Sequence, residues 1–315
     1  MTTLIDLISV EPWALWRDAE LSLSPALVSA TDRARITALT PVFPAPVRCA
    51  CLECPLDGPG GIDLSFEVSA ERFAACFPHV PCWPELKADD PVFLEYDLSG
   101  AASNIPAAFW PLGVALAERE GLREPLNALA DPPVSEAVLA FLAPLATEAR
   151  IDYLAVMSSR PGCPVRLNLS GVNPPAALPA LPIAELIAAA DHCVYAFDLD
   201  ANGPRPRWGV ELFMRNDAAG ADKWRGLFER LVALGLAKAE RLAATAAWPD
   251  IAPCLEQPII GRFLGLDLCA WRAISHVKLV IDGDALAAKI YLIWGPRWRT
   301  QRMKQGNTGL DLRPC

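Results

Sequence analysis

Two lysines lie on neighbouring strands of a predicted hairpin, on a face turned away from an apolar layer. In Ser275–Trp294, Lys278 alternates with apolar residues on one strand, and Lys289 and Tyr291 do so on the next. Because side chains of a strand alternate between its two faces, the lysines share one face. The turn at Asp282–Asp284 brings them close to opposite each other. A cationic pair in that position needs water or an anion beside it.

Four further hairpins precede this one, and each also has a polar face. That face carries Arg166 and Arg207 in the later hairpins, and Glu67 and Glu95 in the earlier ones. Stretches that can hold helix separate the hairpins. The predicted strand pairs are Val47–Cys54 with Ile62–Val68, Val92–Leu98 with Ile105–Trp110, Ile151–Ser158 with Val165–Ser170, and Val194–Leu199 with Arg207–Met214.

Ten antiparallel strands with one polar face can form an open sheet or close into a barrel. An open sheet of about ten strands is near the practical limit, whereas closure removes the edges and encloses the polar face in a lumen. We therefore predict an α+β fold, a closed ten-stranded antiparallel barrel of five helix-flanked hairpins with the helices outside. The clearest helix is Asp217–Leu234, where Trp224, Leu227 and Phe228 recur on one face.

The composition shows no linker, which favours one barrel domain over residues 47–294. Residues 1–46 are expected to form a helical segment packed on the barrel, and residues 295–315 a basic C-terminal tail. At 315 residues and 53% hydrophobic, the chain can bury a large core.

The net charge of −9 disfavours a nucleic-acid surface. The N-terminus shows no basic region leading into an apolar run, and no apolar stretch has the length of a membrane span. We expect a cytoplasmic protein with no nucleic-acid or membrane partner.

Ten cysteines in a chain without a visible signal peptide predict reduced thiols, most of them buried. Cys49 and Cys51 share a strand face while Cys54 points the other way, so the three thiols are not placed to bind one metal ion together. The motif Cys76-x-x-His79-x-x-Cys82 has the ligand types of a zinc site but lacks a partner pair of known spacing, so an enzyme that uses this cluster with a metal is the lowest-ranked function. No metal centre is predicted.

The layout of five helix-separated hairpins around a polar lumen resembles that of the ABBA prenyltransferases, over about Val47–Trp294. YAFDL…WGVELFM is similar to the family's paired strands that end in an aromatic residue. HVKLV…AKIYL resembles the strands where the family places Lys and Tyr around a prenyl diphosphate. YLAVMSSRPGCPVRLNLSG resembles the Arg-bearing hairpin of its smaller, peptide-modifying branch. The resemblance implies a transferase of alkyl groups that moves an isoprenoid from an allylic diphosphate to an aromatic small molecule or a peptide side chain.

The resemblance also implies roles for individual residues. A diphosphate needs several cations, an allyl cation needs aromatic faces, and an aromatic acceptor needs a carboxylate beside it. Strand alternation turns Tyr195 and Trp208 toward the helix layer, although they are the candidates for the aromatic shield. The implied diphosphate-binding residues are Arg166, Arg207, Lys278, Lys289 and Tyr291, the shield is Tyr195 and Trp208, and the candidate acids or bases are Glu53, Glu67 and Glu95.

The predicted lumen carries at least as many carboxylates as cations. That balance suits a diphosphate that arrives with Mg²⁺, and no other cofactor is implied. It equally suits a basic peptide bound without chemistry. The alternative function is therefore a non-catalytic peptide-binding or maturation protein that uses the barrel mouth.

Overall fold

A computed structural model of the chain describes residues 10–39, 43, 46–98, 106–172, 183–216, 218–253 and 266–300. A 3-10 helix at Leu116–Leu122 accompanies the regular elements. The helices are α1 (Pro12–Glu20), α2 (Ala30–Leu39), α3 (Ala70–Cys76), α4 (Arg123–Leu129), α5 (Pro132–Leu142), α6 (Ala184–Ala189), α7 (Ala218–Ala233) and α8 (Ala239–Ala246). The strands are β1 (Cys49–Pro55), β2 (Asp63–Ser69), β3 (Pro91–Asp97), β4 (Ala107–Ala115), β5 (Arg150–Val156), β6 (Val165–Ser170), β7 (His192–Asp200), β8 (Gly203–Phe213), β9 (Asp250–Pro253), β10 (Leu266–Asp282) and β11 (Ala285–Thr300).

The strands close into a ring. Each of β1 to β7 pairs with the next strand, β8 pairs with β10, β10 with β11, and β11 returns to β1, which makes ten strands. The short β9 pairs with β10 outside this ring. All of these pairs are antiparallel, so the predicted closed barrel of five hairpins is confirmed.

Strand alternation gives the barrel an apolar outer face and a polar inner one. Leu279 and Leu292, for example, are fully buried in the main hydrophobic core, and each such burial contributes about 1.5–3 kcal/mol. Helices cover that face; the indole of Trp294 donates to the carbonyl of Leu15 in α1 across 3.1 Å.

Several elements are longer than the sequence patterns predicted. β8 begins at Gly203, and β10 and β11 reach Leu266 and Thr300, so β11 includes residues 295–300 of the expected tail. The predicted helix Asp217–Leu234 is confirmed by α7. Residues 1–9, 301–315 and the start of the predicted strand at Ile105 lie outside the described residues.

In the described part of the chain, every cysteine is a thiol outside any disulfide. Cys49, Cys54 and Cys269 are buried and the other five are not, so the expectation that most are buried is wrong there. Among the described residues, no group of three or more His, Cys, Asp or Glu side chains is arranged to hold a metal ion. In the described part, no helix is both long enough and apolar enough to cross a membrane.

Candidate functional site

The described part of the barrel lumen includes two cavities of different size. The larger, here called the mouth chamber, has a volume of about 880 Å³ and is bordered at its outer end by residues such as Asp191 and Arg297. The smaller, the turn-end cavity, has about 30 Å³ and lies near the hairpin turns, beside Arg207 and Val280. Arg166 and Lys278 border both cavities, so they stand at the boundary between them.

At this boundary each cation is paired with a carboxylate. Lys278 Nζ donates to Glu211 Oε1 at 2.9 Å. Arg166 makes a two-pronged contact with Asp198, with Nε–Oδ1 at 2.7 Å and Nη2–Oδ2 at 3.1 Å. The amide of Asn168 also donates to Glu211 Oε1, at 3.1 Å.

Two more cations belong to this group. Lys289 lies on β11, where the ring closes onto β1, and Arg160 lies in a hairpin turn. Lys289 and the hydroxyl of Tyr291 both donate to Glu53, and Lys289 lies 3.9 Å from Asp63. Arg160, in the turn after β5, contacts a carboxylate oxygen of Asp198 at 2.8 Å and one of Glu95 at 4.0 Å. The charge cluster is defined as Arg160, Arg166, Lys278 and Lys289 with Glu53, Asp63, Glu95, Asp198 and Glu211.

The sheet register explains why these residues meet. Lys278 lies directly opposite Lys289 in the β10–β11 ladder, as predicted, and opposite Glu211 in the β10–β8 ladder. Glu53 lies opposite Asp63 in the β1–β2 ladder. Like charges placed opposite each other repel, and the carboxylate beside each lysine offsets that repulsion.

The carboxylates divide into two kinds by their pKa. Burial is the largest influence on the pKa of Glu53 and Glu211 and raises it, but the neighbouring cations together, led by Lys289 and Lys278 respectively, hold each pKa below its ordinary value. Asp198 follows the same pattern through Arg166. Burial and the neighbouring charge of Glu53 raise the pKa of both Asp63 and Glu95. These two are therefore the most readily protonated members of the charge cluster.

Aromatic side chains line opposite sides of the mouth chamber. Phe93 and Tyr153, from β3 and β5, meet edge to face with ring centres 5.9 Å apart, and Phe109 borders the chamber from β4 between them. On the other side His276 stacks on Tyr291 at 4.0 Å and meets Phe213 at 4.6 Å. Burial lowers the pKa of His276 to about 4, so this ring is neutral at physiological pH.

Four of these aromatic residues were missed by the sequence analysis. Phe93 alternates in phase with Glu95, and Phe213 in phase with Glu211, so strand parity already assigned both to the lumen face. Phe109 and Tyr153 have no charged residue in phase with them on β4 and β5, so parity gave no such signal there. The ring order places β4 opposite β10, and it is this closure that makes two facing aromatic walls.

The proposed aromatic shield is wrong in location. Tyr195 is buried in the main core outside the barrel. Trp208 also borders the turn-end cavity, but its ring stacks on Tyr195 at 6.4 Å and on Phe197 at 6.0 Å. Phe197 in turn contacts Phe141 of α5. The residues have the outward strand parity, so their rings lie between the sheet and the helices.

The other predicted site residues are distributed unequally. The four predicted cations, Arg166, Arg207, Lys278 and Lys289, all border the turn-end cavity, although Arg207 is exposed at its rim. Glu67 lies apart from the charge cluster, where it accepts from Cys49 Sγ at 3.3 Å and pairs with Arg48 at 3.5 Å. Arg160 was missed because its turn sequence signals only a loop.

The fold and site together define a closed antiparallel barrel with a charged, aromatic-lined lumen. The sequence matches no protein-family model and no curated protein. A solved structure with a similar backbone is that of the prenyltransferase PriB in a ternary complex with L-tryptophan and dimethylallyl thiolodiphosphate. The similarity covers 90% of this chain and 94% of that one, with a TM-score of 0.45 and 14% sequence identity. The observed ring of strand pairs establishes the fold.

Proposed function

We propose that the protein transfers a prenyl group from an allylic diphosphate to an aromatic acceptor, either a small molecule or a peptide side chain. The observation that carries the proposal is the separation of charge along the lumen. The turn-end cavity is bordered by five cations and only two carboxylates, whereas aromatic rings line the mouth chamber. An allylic diphosphate has the same polarity, with an anionic head and an apolar tail. The five cations are Arg160, Arg166, Arg207, Lys278 and Lys289, and the two carboxylates are Glu53 and Asp198.

The residues then have distinct tasks in the reaction. The cations hold the diphosphate while its bond to the allyl carbon breaks and the bonding pair leaves with the diphosphate. Aromatic faces stabilise the allyl cation. The acceptor ring supplies the electron pair for the new bond, and its displaced proton passes to a carboxylate.

Glu95 is the best placed of the three candidate acids or bases. Glu53 is held by Lys289 and Tyr291, and Glu67 by Arg48 and Cys49. Glu95 borders the mouth chamber, and its ion pair with Arg160 is a long one, of 4.0 Å. Its raised pKa suits a group that must accept a proton.

Binding of the diphosphate must rearrange the charge cluster. A cavity of about 30 Å³ holds about one or two water molecules, so the ion pairs have to open to admit the ligand. The cluster has four cations and five carboxylates, and the bound anion needs extra positive charge. A proton on Asp63, or Mg²⁺ arriving with the diphosphate, would supply it.

Calorimetric titration with dimethylallyl and geranyl diphosphate tests the proposal. Lys278→Ala and Lys289→Ala are each expected to weaken binding about ten- to a hundredfold, because each removes a charge-assisted contact. Lys87→Ala, at an exposed loop position, is the matched control and should bind as wild type does. Thermal stability is recorded for all variants. Absence of binding by the wild type, or unchanged binding in both lumen variants, would remove the proposal.

A second candidate function is a protein that binds a peptide in the mouth chamber without chemistry. The observation that supports it is the pairing of the lumen cations with carboxylates. Incubation with dimethylallyl diphosphate and a set of aromatic and basic peptides, followed by mass spectrometry, separates the two candidates. A prenyl mass increase supports transfer. Saturable peptide binding without a mass increase, and without diphosphate binding, supports the second candidate.

A further inference from the structure

Lys278 crosses the neighbouring strand at a position that has no side chain. Gly209 of β8 has the lumen-facing parity of Arg207 and Glu211, and it borders the turn-end cavity together with Lys278. Its ladder partners are Val280 on β10 and Ala196 on β7. The stem of Lys278 occupies the space above Gly209 on its way to Glu211.

A methyl group at position 209 cannot share that space with the lysine. It would lie 2.8 Å from Lys278 Cε, a separation that real Cβ contacts essentially never show, and 3.6 Å from Cγ, an ordinary contact. The carbonyl oxygen of Leu279 would be 3.2 Å away, which is tight but within the reach of a small shift. The part of Lys278 that must move is therefore the end that carries its charge.

We infer that Gly209 is a positioning residue for Lys278, which fixes the ammonium at the boundary between the turn-end cavity and the mouth chamber. The ammonium is held by Glu211 at 2.9 Å, and an allylic diphosphate would have its head on one side of it and its tail on the other. Gly209 acts only through the lysine and needs no contact with the ligand. The identity of the ligand rests on the proposed function, whereas the steric relation between Gly209 and Lys278 does not.

A double-mutant cycle tests this inference. Gly209→Ala is expected to weaken dimethylallyl diphosphate binding about tenfold in the wild-type background. In the Lys278→Ala background, where Cγ and the charged end are absent, the same substitution should change affinity less than about twofold. Gly58→Ala, where an added methyl meets nothing within 4 Å, is the control and should leave affinity unchanged.

Thermal stability gives a readout that does not depend on the ligand. Gly209→Ala should lower the melting temperature in the presence of Lys278 and lower it much less in the Lys278→Ala background. If the loss of stability is the same in both backgrounds, the obstruction is the Leu279 carbonyl and the inference is overturned. Multiplicative losses of affinity would overturn it as well. A wild type that binds no diphosphate but shows the stability coupling would refute the proposed function while leaving the positioning role intact.

Discussion

The two ends of the lumen use the same strand alternation for opposite purposes. Near the hairpin turns, long charged side chains meet across the barrel and leave about 30 Å³. Toward the mouth, the rings of Phe93 and Phe213 belong to facing walls of a chamber of about 880 Å³. A ten-stranded ring is therefore wide enough to enclose a ligand. Whether that space is filled depends on whether side chains form ion pairs across it. The charged end is a mutually dependent network, while the aromatic end is a set of separate walls.

The largest effect is expected from breaking one ion pair of the charged end. The side chains of Lys278 and Glu211 are 8% and 10% exposed, and leaving one member of a buried pair without its partner costs about 3–5 kcal/mol. Glu211→Gln should lower the free energy of unfolding by about that amount, measured by urea denaturation. Combining it with Lys278→Met should restore most of the loss, because no unpaired charge then remains. A double variant as unstable as the single one would contradict a dependent network.

The aromatic end should respond in rate rather than in affinity. Phe93→Leu keeps the volume apolar but removes a ring face, and the loss of one cation–π contact should slow prenyl transfer about tenfold. Diphosphate affinity should stay within about twofold, because the turn-end cavity is unchanged. Single-turnover kinetics and calorimetry on the same preparation check both statements. Equal losses in rate and affinity would show that the two ends are not separate.

The pH dependence of stability should reveal the two carboxylates with raised pKa values. The folded state holds protons on Asp63 and Glu95 more firmly than the unfolded chain does. The contribution of these two groups to the stability of the folded state is therefore complete at a pH below the ordinary carboxyl pKa. It is lost as the pH rises through their raised pKa values.

Asp63→Asn removes a like charge opposite Glu53, and at neutral pH it should stabilise the protein by up to about 1 kcal/mol. Melting temperatures between about pH 4 and pH 8 should converge with those of the wild type at the acid end. Asp57→Asn, at an exposed turn position, is the control. A constant difference across the pH range would contradict the assignment.

The smallest effect is expected outside the lumen. Tyr195 lies in the core between sheet and helices, so Tyr195→Phe should change neither diphosphate affinity nor transfer rate by more than about twofold. Phe93→Leu serves as its inward-facing counterpart. A loss of rate in the Tyr195 variant comparable to that of Phe93→Leu would place the shield where the family resemblance first suggested.

Periodicity was enough to predict the hairpins and the shared face of Lys278 and Lys289, because each depends on local alternation. The closed barrel followed from the number of strands, since an open sheet of about ten is near the practical limit. Periodicity could not identify the carboxylate that pairs with each cation. Arg166 pairs with Asp198, which is 32 residues away in the sequence and lies on the adjacent strand. Arg160 reaches the lumen from a turn. Tyr195 and Trp208 were assigned from the resemblance against the parity of their own strands, and the parity was correct.

The seam between β1 and β11 has a consequence for biosynthesis. Glu53 is separated from Lys289 by 236 residues, and from Tyr291 by 238, so its carboxylate lacks both partners until β11 has been synthesised. Until β11 emerges, β1 and β10 are open edges and the lumen cannot close. Long-range pairing of this kind slows folding and leaves exposed strands prone to association. Protection against hydrogen exchange of the β1 amides that donate to β11 should consequently appear only after the final hairpin has been released from the ribosome.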